Sequence, residues 1–181
     1  MDGYYSIEEL KNIGFAKVGE DVLISKKASL YGVSAMSIGN HVRIDDFALL
    51  VGNIEIHDYV HIAAFSNLHA SRDGHIIFED YSGVSANVTI YASSDLYDGS
   101  AMTARPGLSE ESVSTVCRTV VIGKYSQIGT GSTVLPEGSL EEGVAVGAMS
   151  LVNKVLPSWG IYYGIPCQRM KERSKELLNK I

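Results

Sequence analysis

From Val18 onward an apolar residue returns at every sixth position, with a few interruptions. The clearest run covers 122–157 and reads IGKYSQ, IGTGST, VLPEGS, LEEGVA, VGAMSL, VNKVLP. Its leading positions are Ile122, Ile128, Val134, Leu140, Val146 and Val152, and four residues after each stands Ser126, Ser132, Gly138, Val144, Ser150 or Leu156, mostly small. A period of six is neither that of a helix nor that of a simple strand, and a fixed period points to a repeat architecture. Six residues suit one short strand and one tight corner. Three such sides close a triangular coil that stacks on the next at about 4.8 Å, the ordinary inter-strand spacing. The leading residue points into the prism, and the small one fits its narrow wall.

Counted back from this run, the same register predicts a first coil from Val18, Ile24 and Leu30, followed by two extra residues. A second coil uses Ile38, Ile44 and Leu50. A third uses Ile56, Ile62 and Leu68, followed by four extra residues, and a fourth uses Phe78, Val84 and Ile90. With the two coils of 122–157 the total is six. The hexad LHASRD fits badly, because Arg72 stands where a small residue belongs. Between Asp95 and Val121 the period vanishes, which predicts a long loop, 96–121, leaving the prism directly after Asp95. Loops of that length in compact domains are often functional.

The flanks differ. Residues 6–12 read as a short helix, with Ser6 and Glu9 spaced as a capping box and Gly14 as its stop; it would cover the open end of the prism. After Pro157, Gly164-Ile165-Pro166 reads as a turn, and Cys167 to Asn179 as a charged amphipathic helix. The expected organisation is an N-terminal helical cap over 1–17, an all-β prism over 18–157, and a C-terminal turn and helix over 158–181.

Composition narrows the class. The chain has 181 residues, 45% of them apolar, and a net charge of −6. That apolar content suits a folded domain rather than a disordered chain, and the acidic balance argues against a nucleic-acid partner. Cys117 and Cys167 form no metal-ligand pattern and read as free thiols of a reducing compartment. The opening MDGYYSIEEL lacks a basic region followed by an apolar run. No stretch approaches the roughly 20 apolar residues that span a bilayer. A soluble, cytoplasmic protein is expected.

The hexads, the GAMSLVNK stretch and the Gly-Ile-Pro turn before a basic helix resemble the hexapeptide-repeat acyltransferases, in particular the sugar O-/N-acetyltransferase branch that includes galactoside, maltose and O-antigen or capsule enzymes. The resemblance covers about Val18 to Arg173. It implies a left-handed parallel β-helix, a homotrimer, and clefts between subunits that hold acetyl-CoA and a sugar or nucleotide-sugar acceptor, with no metal. In the galactoside branch the base is a histidine at the end of a third-side hexad, where the long loop starts. Here YASSDLYD puts Asp95 at that position. An exposed aspartate, ordinarily near pKa 4, is a weak base at neutral pH, and burial would strengthen it. A carboxylate also suits an amine acceptor, which favours N- over O-acetylation. His69, one coil earlier on the same side and within about 5–10 Å of Asp95, is the second candidate base, since a His–carboxylate pair is a standard arrangement.

The same alignment carries Asp73 onto an acidic position that holds sugar hydroxyls, and Asn67 onto an asparagine near the acceptor pocket. Tyr91, Tyr97, Asp98 and Arg105 stand where a loop would close over a sugar. For the cofactor, the resemblance implies pantetheine contacts near Ser132, Ala148 and Ser150 and a phosphate contact at Lys154. Pro166 would border the adenine, and Arg169 and Lys171 would replace a lysine that the family often carries where Gln168 stands. Two other readings stay open. One is a non-catalytic β-helix scaffold. The other is a γ-class carbonic anhydrase, which needs three histidines around zinc; His57, His61 and His69 are available, but their spacing departs from that pattern.

Overall fold

The computed structural model describes residues 3–71 and 73–180. Arg72, the misfit of the poor hexad, lies outside the described residues. The chain winds into a parallel β-helix with three sheets, one per side of a triangular prism. The first sheet stacks seven strands from Lys17–Val18 to Val155–Leu156. The second runs from Leu23–Ile24 through seven parallel strands to Gly160–Gly164, and the third stacks six from Ser29–Tyr31 to Leu151–Val152.

The six-residue register holds in every coil. On the first side Val18 pairs with Ile38, Ile38 with Ile56, Ile56 with Phe78, Phe78 with Ile122 and Ile122 with Leu140. On the third, Leu30, Leu50, Leu68, Ile90, Val134 and Val152 follow one another in the same way. Most of these residues are fully buried and form one continuous core, because each strand shows alternate side chains to the prism interior. The small position has its own reason. Ser126 Oγ accepts from Val144 N at 2.9 Å and donates to Glu141 O at 2.8 Å. Ser132 Oγ accepts from Ser150 N at 3.1 Å and donates to Gly147 O at 3.0 Å. A buried corner leaves backbone groups that must find partners, and a serine there supplies them without bulk.

One corner carries a backbone feature that the hexads do not announce. His41, Tyr59, Tyr81, Tyr125 and Trp159 all have positive φ, between 54° and 62°. Their rings form a column down one edge: His41 on Tyr59 at 4.5 Å, Tyr59 on Tyr81 at 4.8 Å, Tyr81 on Tyr125 at 5.5 Å, and Tyr125 near Trp159 at 6.4 Å. A left-handed residue with a side chain is strained; stacked aromatic faces offset that strain. Gly143 interrupts the column with φ 71°, and a Cβ there would lie 2.5 Å from the Trp159 ring.

The structure corrects four expectations. A seventh, incomplete turn follows the sixth coil, formed by Val155–Leu156 and Gly160–Gly164. The step into it is shortened to four residues, from Val152 to Leu156, so Leu140 pairs with Leu156 and Val146 with Tyr162, each sixteen residues on rather than eighteen. Second, 167–179 is not a helix. Cys167–Glu172 is a strand antiparallel to Gly160–Gly164, and only Glu176–Lys180 turns, as a 3-10 helix. The last parallel strand would otherwise leave an open edge, and the returning strand pairs it. Third, 96–121 has structure of its own. Ser93–Asp95 pairs antiparallel with Thr115–Cys117, and a 3-10 turn spans Glu110–Ser112. Fourth, the next coil begins at Thr119, within the expected loop, as Thr119–Ile122 lines up with His75–Phe78. The N-terminal helix is Ile7–Ile13, with the Ser6–Glu9 capping box formed and Gly14 closing it at φ 96°. It buries Leu10 against the core.

Candidate active site

Asp95 ends the strand Ser93–Asp95, so the residue after the fourth coil is held by a two-stranded ribbon. In that ribbon Asp95 stands directly opposite Thr115, and Ser93 opposite Cys117. Side chains of such cross-strand pairs share a face. That face borders an open cavity of about 420 Å³, lined by Ser71, Tyr91, Ser93, Ser94, Asp95, Tyr97, Ala104 and Thr115. The cavity is within the size range of small-molecule pockets. The Asp95 carboxylate is half-buried, and its Oδ2 accepts from the Ala104 amide at 3.0 Å. That bond folds the loop back over its own base and fixes the carboxylate. Ser71 and Ser93 share a hydroxyl–hydroxyl hydrogen bond of 2.8 Å at the same cavity.

The structure brings together three of the residues expected at the acceptor: Asp95, Tyr91 and Tyr97. His69 pairs in register with Tyr91 and stacks on its ring at 4.9 Å, but it does not line the cavity. It supports Tyr91 from behind. Burial lowers the His69 pKa and so favours the neutral imidazole. Asp73 is an exposed turn residue before the strand His75–Phe78. Asn67 lies on the outer face of the third side, under Thr89, with Nδ2 donating to Phe65 O at 3.2 Å. Asp98 is engaged by Ser100, whose backbone N and Oγ donate to it at 2.9 and 2.6 Å, lowering its pKa. Arg105 is exposed beside Ala104.

The residues expected at the cofactor fall on the later coils and the terminal hairpin. Ser132 and Ser150 are buried, and their hydroxyls serve the prism wall: Ser150 Oγ accepts from Gly164 N at 3.1 Å. Ala148 and Lys154 are exposed on the rim. Pro166 follows Ile165 across a cis peptide at the tip of the terminal hairpin. Arg169 is paired with Glu172 at 2.8 Å and lies over the Tyr162 ring. His57 is bonded to Glu55 and His61 to Asp45, each at 2.8 Å; His57 follows the strand Ile54–Ile56, whereas His61 and His69 lie on the strands His61–Ile62 and Asn67–Ala70. Among the described residues, no group of three His, Cys, Asp or Glu is placed to hold a metal ion. No described helix is long and apolar enough to cross a membrane.

The residues that sequence reasoning missed are Ser71, Ser93, Ser94, Ala104 and Thr115. The signal available was the alternation Ser93–Asp95 before the loop and Thr115–Cys117 after it, which is a strand pattern on both arms.

No protein-family profile matches the chain. A dTDP-4-amino-4,6-dideoxy-D-glucose acyltransferase of Escherichia coli is 44% identical over 173 residues, covering 94% of this chain and 88% of its own. An aspartate-to-alanine variant of AntD, an N-acyltransferase from Bacillus cereus solved with dTDP and coenzyme A, superposes with a TM-score of 0.95 at 40% identity, covering 99% of this chain and 96% of its own. A relative from Escherichia coli K12 named as a lipopolysaccharide biosynthesis O-acetyl transferase is 28% identical over 142 residues, covering 76% of this chain and 69% of its own. With one β-helix shared from end to end and a carboxylate-bearing cavity where the long loop leaves it, the chain belongs to the hexapeptide-repeat sugar acyltransferases.

Proposed function

We propose that this enzyme transfers an acyl group, acetyl in the first instance, from acyl-CoA to the amine of a dTDP-linked amino-dideoxyhexose, and that Asp95 acts on that amine. The observation that carries the reading is the Asp95 carboxylate, fixed by Ala104 in a cavity at the start of the long loop. An amine reaches the site largely as its ammonium form. A carboxylate attracts that charge and orients the nitrogen; the ammonium gives one proton to solvent, and Asp95 takes a second as the neutral nitrogen attacks the thioester carbonyl. The carbon–nitrogen bond forms, the carbon–sulfur bond breaks, and the proton held by Asp95 passes to the departing sulfur, so that CoA leaves as the thiol. Positioned acid–base groups of this kind contribute about 10²–10⁴-fold.

The relatives support this acceptor. AntD has been solved with dTDP-4-amino-4,6-dideoxyglucose and CoA. The serine and the aspartate substituted in its variants stand ten residues apart, the spacing of Ser85 and Asp95 here. Ser85 lies exposed just past the second-side strand Gly83–Val84, where a neighbouring subunit of a trimer would meet it. We assign the CoA arm to the rim near Ala148 and Ser150, with Lys154 toward its phosphates. Because Arg169 is occupied by Glu172, Lys154 carries more of that contact. The setting is a cytoplasmic homotrimer serving surface-polysaccharide or lipopolysaccharide synthesis. The test is CoA release with acetyl-CoA and either dTDP-4-amino-4,6-dideoxyglucose or its counterpart with a hydroxyl in place of the amine. Release with the amine alone supports the reading; release with neither, or with the hydroxyl alone, contradicts it.

A further inference from the structure

Among the described residues, Thr115 Oγ1 is the single side-chain oxygen or nitrogen that is sealed from water and has no hydrogen-bond partner. Buried hydroxyls nearly always have one, and an exception needs a reason. Thr115 borders the cavity and stands directly across the ribbon from Asp95. Rotation about its Cα–Cβ bond exchanges the hydroxyl with the methyl, and threonine populates more than one such rotamer. The same wall holds a second source of hydrogen bonds. In the Ser71–Ser93 pair one hydroxyl donates to the other, so the accepting hydroxyl keeps its own proton to give.

We infer that Thr115, with the Ser71–Ser93 pair beside it, is a specificity subsite that hydrogen-bonds the acceptor's hydroxyl on the carbon next to the amine. The geometry that leads there is the opposition of Thr115 and Asp95. A sugar whose amine meets Asp95 brings its adjacent ring substituent to the facing strand. A hydroxyl at that position satisfies the Thr115 oxygen, and a deoxy carbon leaves it unpartnered. A site built to bond a hydroxyl discriminates against the analogue that lacks it.

This inference rests on the reading of the cavity as the amine-acceptor site, and the experiment separates the two. Steady-state kinetics are measured for wild type, Thr115→Val and Thr115→Ser with dTDP-4-amino-4,6-dideoxyglucose and with the analogue lacking the hydroxyl next to the amine. The expected result is a rise in acceptor KM of about 3- to 10-fold for Thr115→Val, the size of one net neutral hydrogen bond. The KM for acetyl-CoA stays unchanged, and Thr115→Ser stays close to wild type. With the deoxy analogue, wild type and Thr115→Val give the same KM. An unchanged acceptor KM in Thr115→Val, with wild type active, overturns the inference and leaves the function standing. An equal loss on both acceptors, or a loss in Thr115→Ser as large as in Thr115→Val, overturns it as well. A wild type inactive on both sugars removes the function and the inference together.

Discussion

Tyr81 is the centre of the aromatic column, and its removal tests whether that column stabilises the prism. Its ring meets Tyr59 at 4.8 Å with the planes 5° apart, and Tyr125 at 5.5 Å with the planes 22° apart. Each stack is worth about 0.5–1.5 kcal/mol beyond its burial, so Tyr81→Ala loses about 1–3 kcal/mol from the two together. Lys124 lies 5.8 Å from the Tyr81 ring but 5.3 Å from that of Tyr125, so its cation–π contact persists and adds little. The backbone is the second contribution. Tyr81 has φ 57°, a conformation that alanine tolerates no better than tyrosine and glycine adopts freely. Glycine avoids more than about 0.4–1 kcal/mol that alanine incurs at positive φ. Tyr81→Gly is therefore more stable than Tyr81→Ala, although it is the smaller side chain. The assay is urea unfolding at one protein concentration, followed by far-ultraviolet circular dichroism and by tryptophan emission. The single Trp159 stands at the foot of the column, 6.4 Å from Tyr125, and reports on it directly. Two variants as stable as wild type would refute the column's role. Alanine at least as stable as glycine would refute the strain argument.

Gly143→Ala tests the same edge from below. A Cβ 2.5 Å from the Trp159 ring, added at φ 71°, should cost about 2–4 kcal/mol through overpacking and backbone strain and shift the tryptophan emission. Unchanged stability would show that Trp159 has room to move. The His69–Tyr91 stack predicts a pH effect. Burial lowers the His69 pKa from 6.5, so the unfolded chain binds the proton more readily than the folded one. The stability that the neutral ring supports is present in full above about pH 6.5 and declines as pH falls below it. His69→Phe, which keeps a stacking ring, should flatten that part of the pH profile of thermal stability. An acid slope identical to wild type would remove His69 as its source.

The prism was readable in the sequence because every coil repeats one physical demand. An inward apolar residue recurs every sixth position, and a wrong count would turn charged residues inward. Val18, Ile38, Ile56, Phe78, Ile122 and Leu140 therefore align as counted, through insertions and the long loop. The C-terminal segment was not readable for a local reason. Cys167–Glu172 is an edge strand with only Cys167 buried, so its pattern reflects one pairing partner and mimics a solvated helix stripe. The seventh turn was hidden because the step into it, Val152 to Leu156, is two residues short. The corner column is set by backbone φ, which the six-residue period does not encode.

The site was half readable. Asp95 follows from register alone, since it ends the fourth coil where the loop starts. His69 was placed on the right side of the right coil, but Tyr91 takes the cavity-facing position and His69 stands behind it. Ser93 and Thr115 were missed because they reach the cavity through the ribbon, and Ser71, which follows the strand Asn67–Ala70, because it joins them by its bond to Ser93. The ribbon forms between segments twenty residues apart, and the six-residue period does not extend to it.

The account turns on Asp95. The direct measurement is the rate of CoA release from acetyl-CoA with dTDP-4-amino-4,6-dideoxyglucose, by wild type and by Asp95→Asn, with CoA binding and assembly checked in both. Asparagine keeps the shape and the Ala104 contact but removes the charge and the capacity to take a proton. The prediction is a fall in kcat of about 10²–10⁴-fold with CoA affinity unchanged. Turnover by Asp95→Asn within a few-fold of wild type would contradict the assignment.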